Sequence, residues 1–169
     1  MFENILPEKL NENAIKLIAN DWMLISAGNL KNFNNMTASW GGLGNLWNKP
    51  VSFIFVRPPR YTYKFIEEND YFTICFFEEK YRDMLRLTGT KSGRDINKMK
   101  ELGLTPVESQ NHSVYYAESK IVMECKKLYF QDINPNNFLD ENIIKNYPKR
   151  DFHRMYVGEI VNTLIKSKI

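Results

Sequence analysis

The chain has 169 residues, 43% hydrophobic and 25% charged, which supplies apolar surface for one real core and excludes wholesale disorder. Its 23 basic and 20 acidic residues leave a net charge of +3, too small by itself to indicate a nucleic-acid or membrane partner. Aromatic residues make up 14%, a high share that points to planar packing surfaces, internal or presented to a ligand.

Residues 1–12 read as a polar lead-in around Pro7. No basic, apolar, small-residue leader and no membrane-length apolar run is visible, so a soluble cytoplasmic protein is the expectation. Asn13 can cap a short amphipathic helix carrying Ala14, Ile15, Leu17 and Ile18. Residues 22–27 predict a first strand, and Gly28-Asn29 open a turn. A second strand is expected over 35–40, with Asn35, Thr37 and Ser39 on one face and Met36, Ala38 and Trp40 on the other. Gly41-Gly42 and Gly44 then end it. Pro50 opens a strand over 51–56 whose apolar run suggests burial on both faces. Pro58-Pro59 stop that strand, and Thr62 can cap a helix bearing Tyr63, Phe65 and Ile66.

A strand follows over 71–77, and a helix over 81–87 with Met84, Leu85 and Leu87 as its apolar side. Residues 95–102 predict another helix, capped by Asp95 and ended by Gly103. Strands are expected over 114–118 and 121–130, then an Asn/Pro loop at 134–137 and a last strand over 155–165. Cys75 and Cys125 lie in apolar strand-like runs, so buried free thiols are expected rather than a disulfide. No repeat, linker or domain boundary interrupts the chain. The expectation is one β-rich α+β domain over 1–169, a small barrel with peripheral helices rather than a doubly wound sheet.

The candidate chemistry concentrates in the segment from Asn35 to Thr62. A polar strand face such as Asn35/Thr37/Ser39 also occurs on any half-buried strand, so spacing alone leaves both readings open. Arg57, Arg60 and Thr62 follow a strand end and begin a helix, where free N–H groups and the dipole favour an anion. Two hydroxyls, an arginine fork and a helix N-terminus suit a phosphate. Lys91-Ser92-Gly93-Arg94 offers a second such turn, although turns of this kind are also common on plain surfaces. Trp40 and Trp47 flank GGLGN, a set that could wall a planar ring, with rim packing the simpler reading for Trp47. The run matches neither the dinucleotide fingerprint nor the Walker sequence. His112 sits in a polar turn and His153 lacks a partner at metal-ligand spacing, so no metal is expected. No nucleophile–base arrangement is visible, and any reactive atoms are expected to belong to a cofactor. A third reading, a barrel stacking nucleic-acid bases on its aromatics, lacks the basic stripe it needs.

The run NMTASW (35–40), followed by GG-x-G, W-x-K-P, an apolar strand and RPPRYT (57–62), resembles the flavin reductase-like family, which includes the flavoredoxins. FIE (65–67), FT (72–73), SGRD (92–95), ECKKLY (124–129) and HRMYVGEI (153–160) extend the likeness over roughly 13–162. The resemblance implies an FMN-binding split barrel, an antiparallel Greek-key barrel, dimeric with flavin sites at the subunit interface. It implies that Asn35, Thr37, Ser39 and Trp40 belong to the strand that meets the ribityl phosphate and the isoalloxazine edge, and that Arg57, Arg60, Tyr61 and Thr62 form a second flavin-facing motif. Lys91 matches a position near the phosphate, and His153 and Tyr156 match the closing motif. Strict alternation would turn Trp40 away from Thr37 and Ser39, so its contact requires a twist or bulge at Gly41-Gly42. The implied activity carries electrons from NADH or NADPH through FMN to a small-molecule or protein acceptor, with no nucleic acid or membrane. The alternative is a flavoredoxin-type FMN carrier without NAD(P)H turnover of its own.

Overall fold

The structure, a computed structural model, describes residues 1–90 and 102–167. Its strands are β1 (Phe2–Ile5), β2 (Met23–Asn29), β3 (Asn32–Ala38), β4 (Gly42–Leu46) and β5 (Lys49–Val56), then β6 (Tyr71–Phe76), β7 (Pro106–Glu108), β8 (Val114–Tyr116), β9 (Ile121–Asp132) and β10 (Arg154–Lys166). Helix α1 (Ala14–Lys16) runs on into a π-helical turn over Leu17–Asp21. Two longer helices, α2 (Tyr61–Glu68) and α3 (Arg82–Thr90), flank β6 in the chain. Asn13 caps α1 as its residue type suggests, accepting from the Lys16 N–H at 3.0 Å.

Eight strands form one sheet in the order β3-β2-β6-β9-β10-β5-β4, with β1 added on β10, while β7 and β8 pair separately. Every pairing is antiparallel. The sheet ends on two free edges, β3 and β4, and so remains a split rather than a closed barrel. On one of its edges β10 carries β5 along Arg154–Glu159, then β1 along Thr163–Lys166. Register shifts between Val157 and Gly158 and between Ile160 and Asn162 bend it against β9. Gly158 is obligatory at the first shift, because a Cβ there would lie 2.6 Å from Phe72 Cζ and 3.0 Å from Cys125 Cβ.

Strand alternation sorts the core into two layers. Met23, Ile25, Ala27, Met36, Ala38, Phe72, Ile74, Phe76, Met123 and Cys125 face one cluster. Leu24, Cys75, Phe77 and Val122 turn to the other, where Met84 and Leu85 of α3 and Val114 and Tyr116 of β8 cover them. Each fully buried large side chain contributes about 1.5–3 kcal/mol. Both faces of β2 and β6 are therefore dry, which explains their continuous apolar reading. Cys75 and Cys125 are buried free thiols, as expected.

Five expectations change. The lead-in contains a real edge strand, β1, whose exposed Glu3 and Asn4 hid it from hydropathy. The Gly-rich run is a strand, since β4 pairs with β5 and the hairpin turns at Trp47-Asn48, both with φ near +55° (54° and 57°). The second strand spans Asn32–Ala38, so Ser39 and Trp40 lie beyond its end. Thr62 does not cap α2: Arg60 occupies that position, and Thr62 is buried in the first turn. The segment over 51–56 is fully buried along Ser52, Ile54 and Val56, while on the other face Val51 is buried and Phe53 and Phe55 are half-buried. The helix expected over 95–102 lies, except for its last residue, outside the described residues.

Candidate functional site

Asn35 and Thr37 face the second core layer, not solvent. Asn35 Nδ2 donates to the Tyr116 hydroxyl at 2.8 Å, and that hydroxyl also meets Ser26 Oγ at 3.0 Å. The Thr37 hydroxyl donates to Leu85 O of α3 at 2.7 Å and lies 2.5 Å from Thr88 Oγ1. On the other face, Asn34 Nδ2 donates to Thr62 Oγ1 at 2.8 Å and ties β3 to α2. These side chains fasten β3 to its neighbours, Asn35 to β8, Thr37 to α3 and Asn34 to α2.

Arg60 joins two helix ends. It stands at the N-cap of α2, while its guanidinium donates to Gly89 O at 2.9 Å and Thr88 O at 3.3 Å at the end of α3. A cation there answers the negative end of the α3 dipole. Burial lowers the Arg60 pKa from its ordinary value, and an arginine nevertheless keeps its charge. Tyr61 is half-buried, with its ring edge-on to Phe65 at 5.3 Å. Lys91, one residue past α3, lies outside the described residues.

A second group forms where β3 hands over to β4. Gly41, at φ +142°, brings the chain so close to β5 that a Cβ would sit 2.7 Å from Phe53 O. This supplies the local twist that the alternation required. Trp40, 43% exposed, donates from Nε1 to Phe55 O at 3.0 Å and sets its ring 5.6 Å from that of His153. Phe55 meets the same imidazole edge-on at 6.5 Å. Ser39, the residue before Trp40, is exposed. Arg57, at the end of β5, pairs with Asp151 at 3.2 Å, donates to Asn146 O at 2.7 Å and lies over the Tyr147 ring at 4.9 Å. Tyr147 Oη in turn is 2.7 Å from His153 Nδ1.

His153 Nε2 is buried and has no hydrogen-bond partner. Burial, helped by the nearby Arg57 charge and only partly offset by Asp151, pushes the imidazole down to about 4, so it is neutral near pH 7. Trp40, His153 and Arg57 thus come together, with Ser39 next to Trp40 in the chain. Tyr156 does not join them. It is fully buried on the other side of β10, where its hydroxyl bonds Glu67 and its ring meets Tyr63 and Phe130. Sequence reasoning missed Phe55, Tyr147 and Asp151, which share no spacing that marks them as a group. Two clefts, of about 710 and 300 Å³, open elsewhere, and no residue of the expected site lines either one. Among the described residues no acidic, His or Cys cluster could hold a metal. None of their helices is long and apolar enough to cross a membrane.

The half-exposed indole, the neutral imidazole and the flanking guanidinium suit the edge and face of a planar heteroaromatic ligand, and Arg60 with the start of α2 suits an anionic tail. The fold is similar to the FMN-binding domain of a flavin reductases-like enzyme from Shewanella baltica OS155, with TM-score 0.70 and 20% identity over 98% of this chain and 77% of that one. It is also similar to the flavoredoxin of Desulfovibrio vulgaris (Miyazaki F), with TM-score 0.69 and 23% identity over 96% and 78% of the two chains. A Streptomyces globisporus C-1027 NADH:FAD oxidoreductase matches at TM-score 0.64 and 14% identity, over 86% and 75%. At such identities the likeness shows a shared fold. Comparison with curated proteins gives no match. The family model described as flavin reductase like domain matches residues 15–168, every strand of the sheet except β1, and the chain belongs to that family.

Proposed function

We propose that this protein is an FMN-binding oxidoreductase that moves electrons from a reduced nicotinamide to a small-molecule or protein acceptor. The observation that carries the proposal is the plate of Trp40 and His153, a half-exposed indole beside an imidazole whose buried Nε2 lacks a partner. A buried polar atom left unpaired costs about 1–3 kcal/mol, and a ligand atom at that position offsets the cost. The set fits a flavin: Trp40 offers a wall, His153 a polar atom for the ring edge, Ser39 a hydroxyl, and Arg57 positive charge. When bound, FMN supplies hydride acceptance and onward electron transfer. The chain's own residues bind and orient. Arg60 and the α2 N-terminus hold the anionic tail, and Asn35, Thr37 and Thr62 fix the strand and helices behind it.

The protein acts as a homodimer in this reading. Tyr129 and Phe130 at the far end of β9 are exposed, with Trp47 packed edge-on to Tyr129 at 6.2 Å, an apolar patch suited to a second copy. Titration of flavin-free protein with FMN tests the cofactor, and anaerobic stopped-flow mixing with NADH and NADPH tests the donor. Saturable binding with rapid bleaching is the expected result. Binding without bleaching by either nucleotide would leave a flavoredoxin-type carrier, and absence of binding would overturn the proposal.

A further inference from the structure

The pair Tyr147–His153 has a consequence beyond cofactor choice. A phenol carries one proton and an imidazole nitrogen is the better acceptor, which favours Tyr147 Oη as the donor to Nδ1 across the 2.7 Å contact. Nδ1 is then unprotonated, and in a neutral imidazole the proton sits on Nε2. That makes the unpartnered buried atom an N–H donor, the kind of group that folded proteins rarely leave unsatisfied. The opposite tautomer would leave Nε2 a bare acceptor.

Other contacts hold Tyr147 in place. Its ring stacks on Phe138 at 6.0 Å with a 16° tilt, packs against Phe152 at 5.0 Å, and lies under the Arg57 guanidinium. Arg57 is fixed in turn by Asp151 and Asn146 O. The charged and titratable groups around the imidazole are thus Arg57, Asp151 and Tyr147, and the positive one lies close enough to oppose a second proton on the ring. The segment before β10 therefore acts as a fixed bracket for one side chain.

We infer that Tyr147 is a positioning residue that holds His153 in its Nε2–H tautomer and presents that N–H to an acceptor atom of a bound planar heteroaromatic ligand. The ligand class rests on the flavin reading above, whereas the tautomer does not. The device selects for a carbonyl oxygen or unprotonated ring nitrogen at this spot and against a donor, because two facing N–H groups would repel.

The test uses the full chain, labelled with ¹⁵N on histidine, without flavin and then with FMN. Near pH 7, long-range ¹H–¹⁵N correlation spectra should show His153 Nε2 with the shift of a protonated nitrogen and Nδ1 with that of an unprotonated one. Tyr147→Phe keeps the ring and removes the hydroxyl. It should average the two nitrogen shifts toward a tautomer mixture and weaken FMN binding by about two- to tenfold, the range of one hydrogen bond. A wild-type spectrum with the proton on Nδ1 overturns the inference whatever the variant does. Unchanged nitrogen shifts in Tyr147→Phe overturn the role of Tyr147. An Nε2–H tautomer in a protein that binds no FMN would sink the flavin reading alone, leaving the bracket in place.

Discussion

Replacing Thr37 by Val removes one hydroxyl at nearly constant volume and tests how β3 is fastened to α3. Thr37 is 8% exposed, donates to Leu85 O at 2.7 Å and lies 2.5 Å from Thr88 Oγ1. Leu85 O keeps Thr88 as a second donor at 3.0 Å, so the direct loss is close to one neutral buried hydrogen bond, about 1 kcal/mol. A methyl cannot sit 2.5 Å from an oxygen, so α3 must also shift, adding about 1–2 kcal/mol of overpacking strain. The expected total is about 2–3 kcal/mol, or roughly 4–12 °C in Tm for a chain of this size. Thermal and urea unfolding of flavin-free protein, followed by circular dichroism, measures it. Ser39→Ala, at an exposed position past the strand end, should stay within about 0.5 kcal/mol of wild type. Unchanged Tm and urea midpoint in Thr37→Val would refute the fastening role and return the hydroxyl to the ligand.

Gly158→Ala should destabilise by about 1–3 kcal/mol in urea, because the new Cβ meets the buried Phe72 ring at 2.6 Å and Cys125 at 3.0 Å. Burial would raise the Asp21 carboxyl, but hydrogen bonds and charge from Lys120 and Lys16 outweigh it and hold the pKa below the ordinary carboxylate range. The unfolded chain then binds a proton more readily, so this stabilisation is present above about pH 4 and fades as pH falls below it. Asp21→Asn should accordingly cost about 2 kcal/mol at pH 7 and much less at pH 3, measured by unfolding at both. Burial pushes the Cys75 and Cys125 thiols up to about 11 and about 12. Neither should react with a disulfide reagent in the native protein at pH 8, and both should react once it is unfolded in denaturant.

Much of the sheet was legible because its central strands are apolar on both faces and bounded by turn residues. The strands seen least well are those whose stability comes from a neighbour. Phe2–Ile5 is short and half polar, and becomes a strand because β10 outlasts β5 and leaves an edge to fill. The glycines at 42 and 44 read as a turn because glycine weakens a strand in isolation, yet β4 is templated by β5, and both glycines pass against Phe53. Thr37 was legible as a special residue but not as a helix anchor, since its partner lies 48 residues away. Trp40 was legible beside the Gly-rich run as a wall for a planar ring and His153 entered through the family likeness, whereas Tyr147, only six residues from His153, could not be read. The link depends on how an irregular loop folds back, and no periodicity encodes that.

The most direct test of the central claim is an FMN titration of flavin-free wild type and Trp40→Ala, followed by quenching of flavin fluorescence. Saturable quenching by wild type, with Kd raised up to about tenfold in the variant through the lost aromatic contact, is the predicted result. No saturable quenching, or an identical Kd in the two proteins, would contradict a flavin seated on the Trp40–His153 plate.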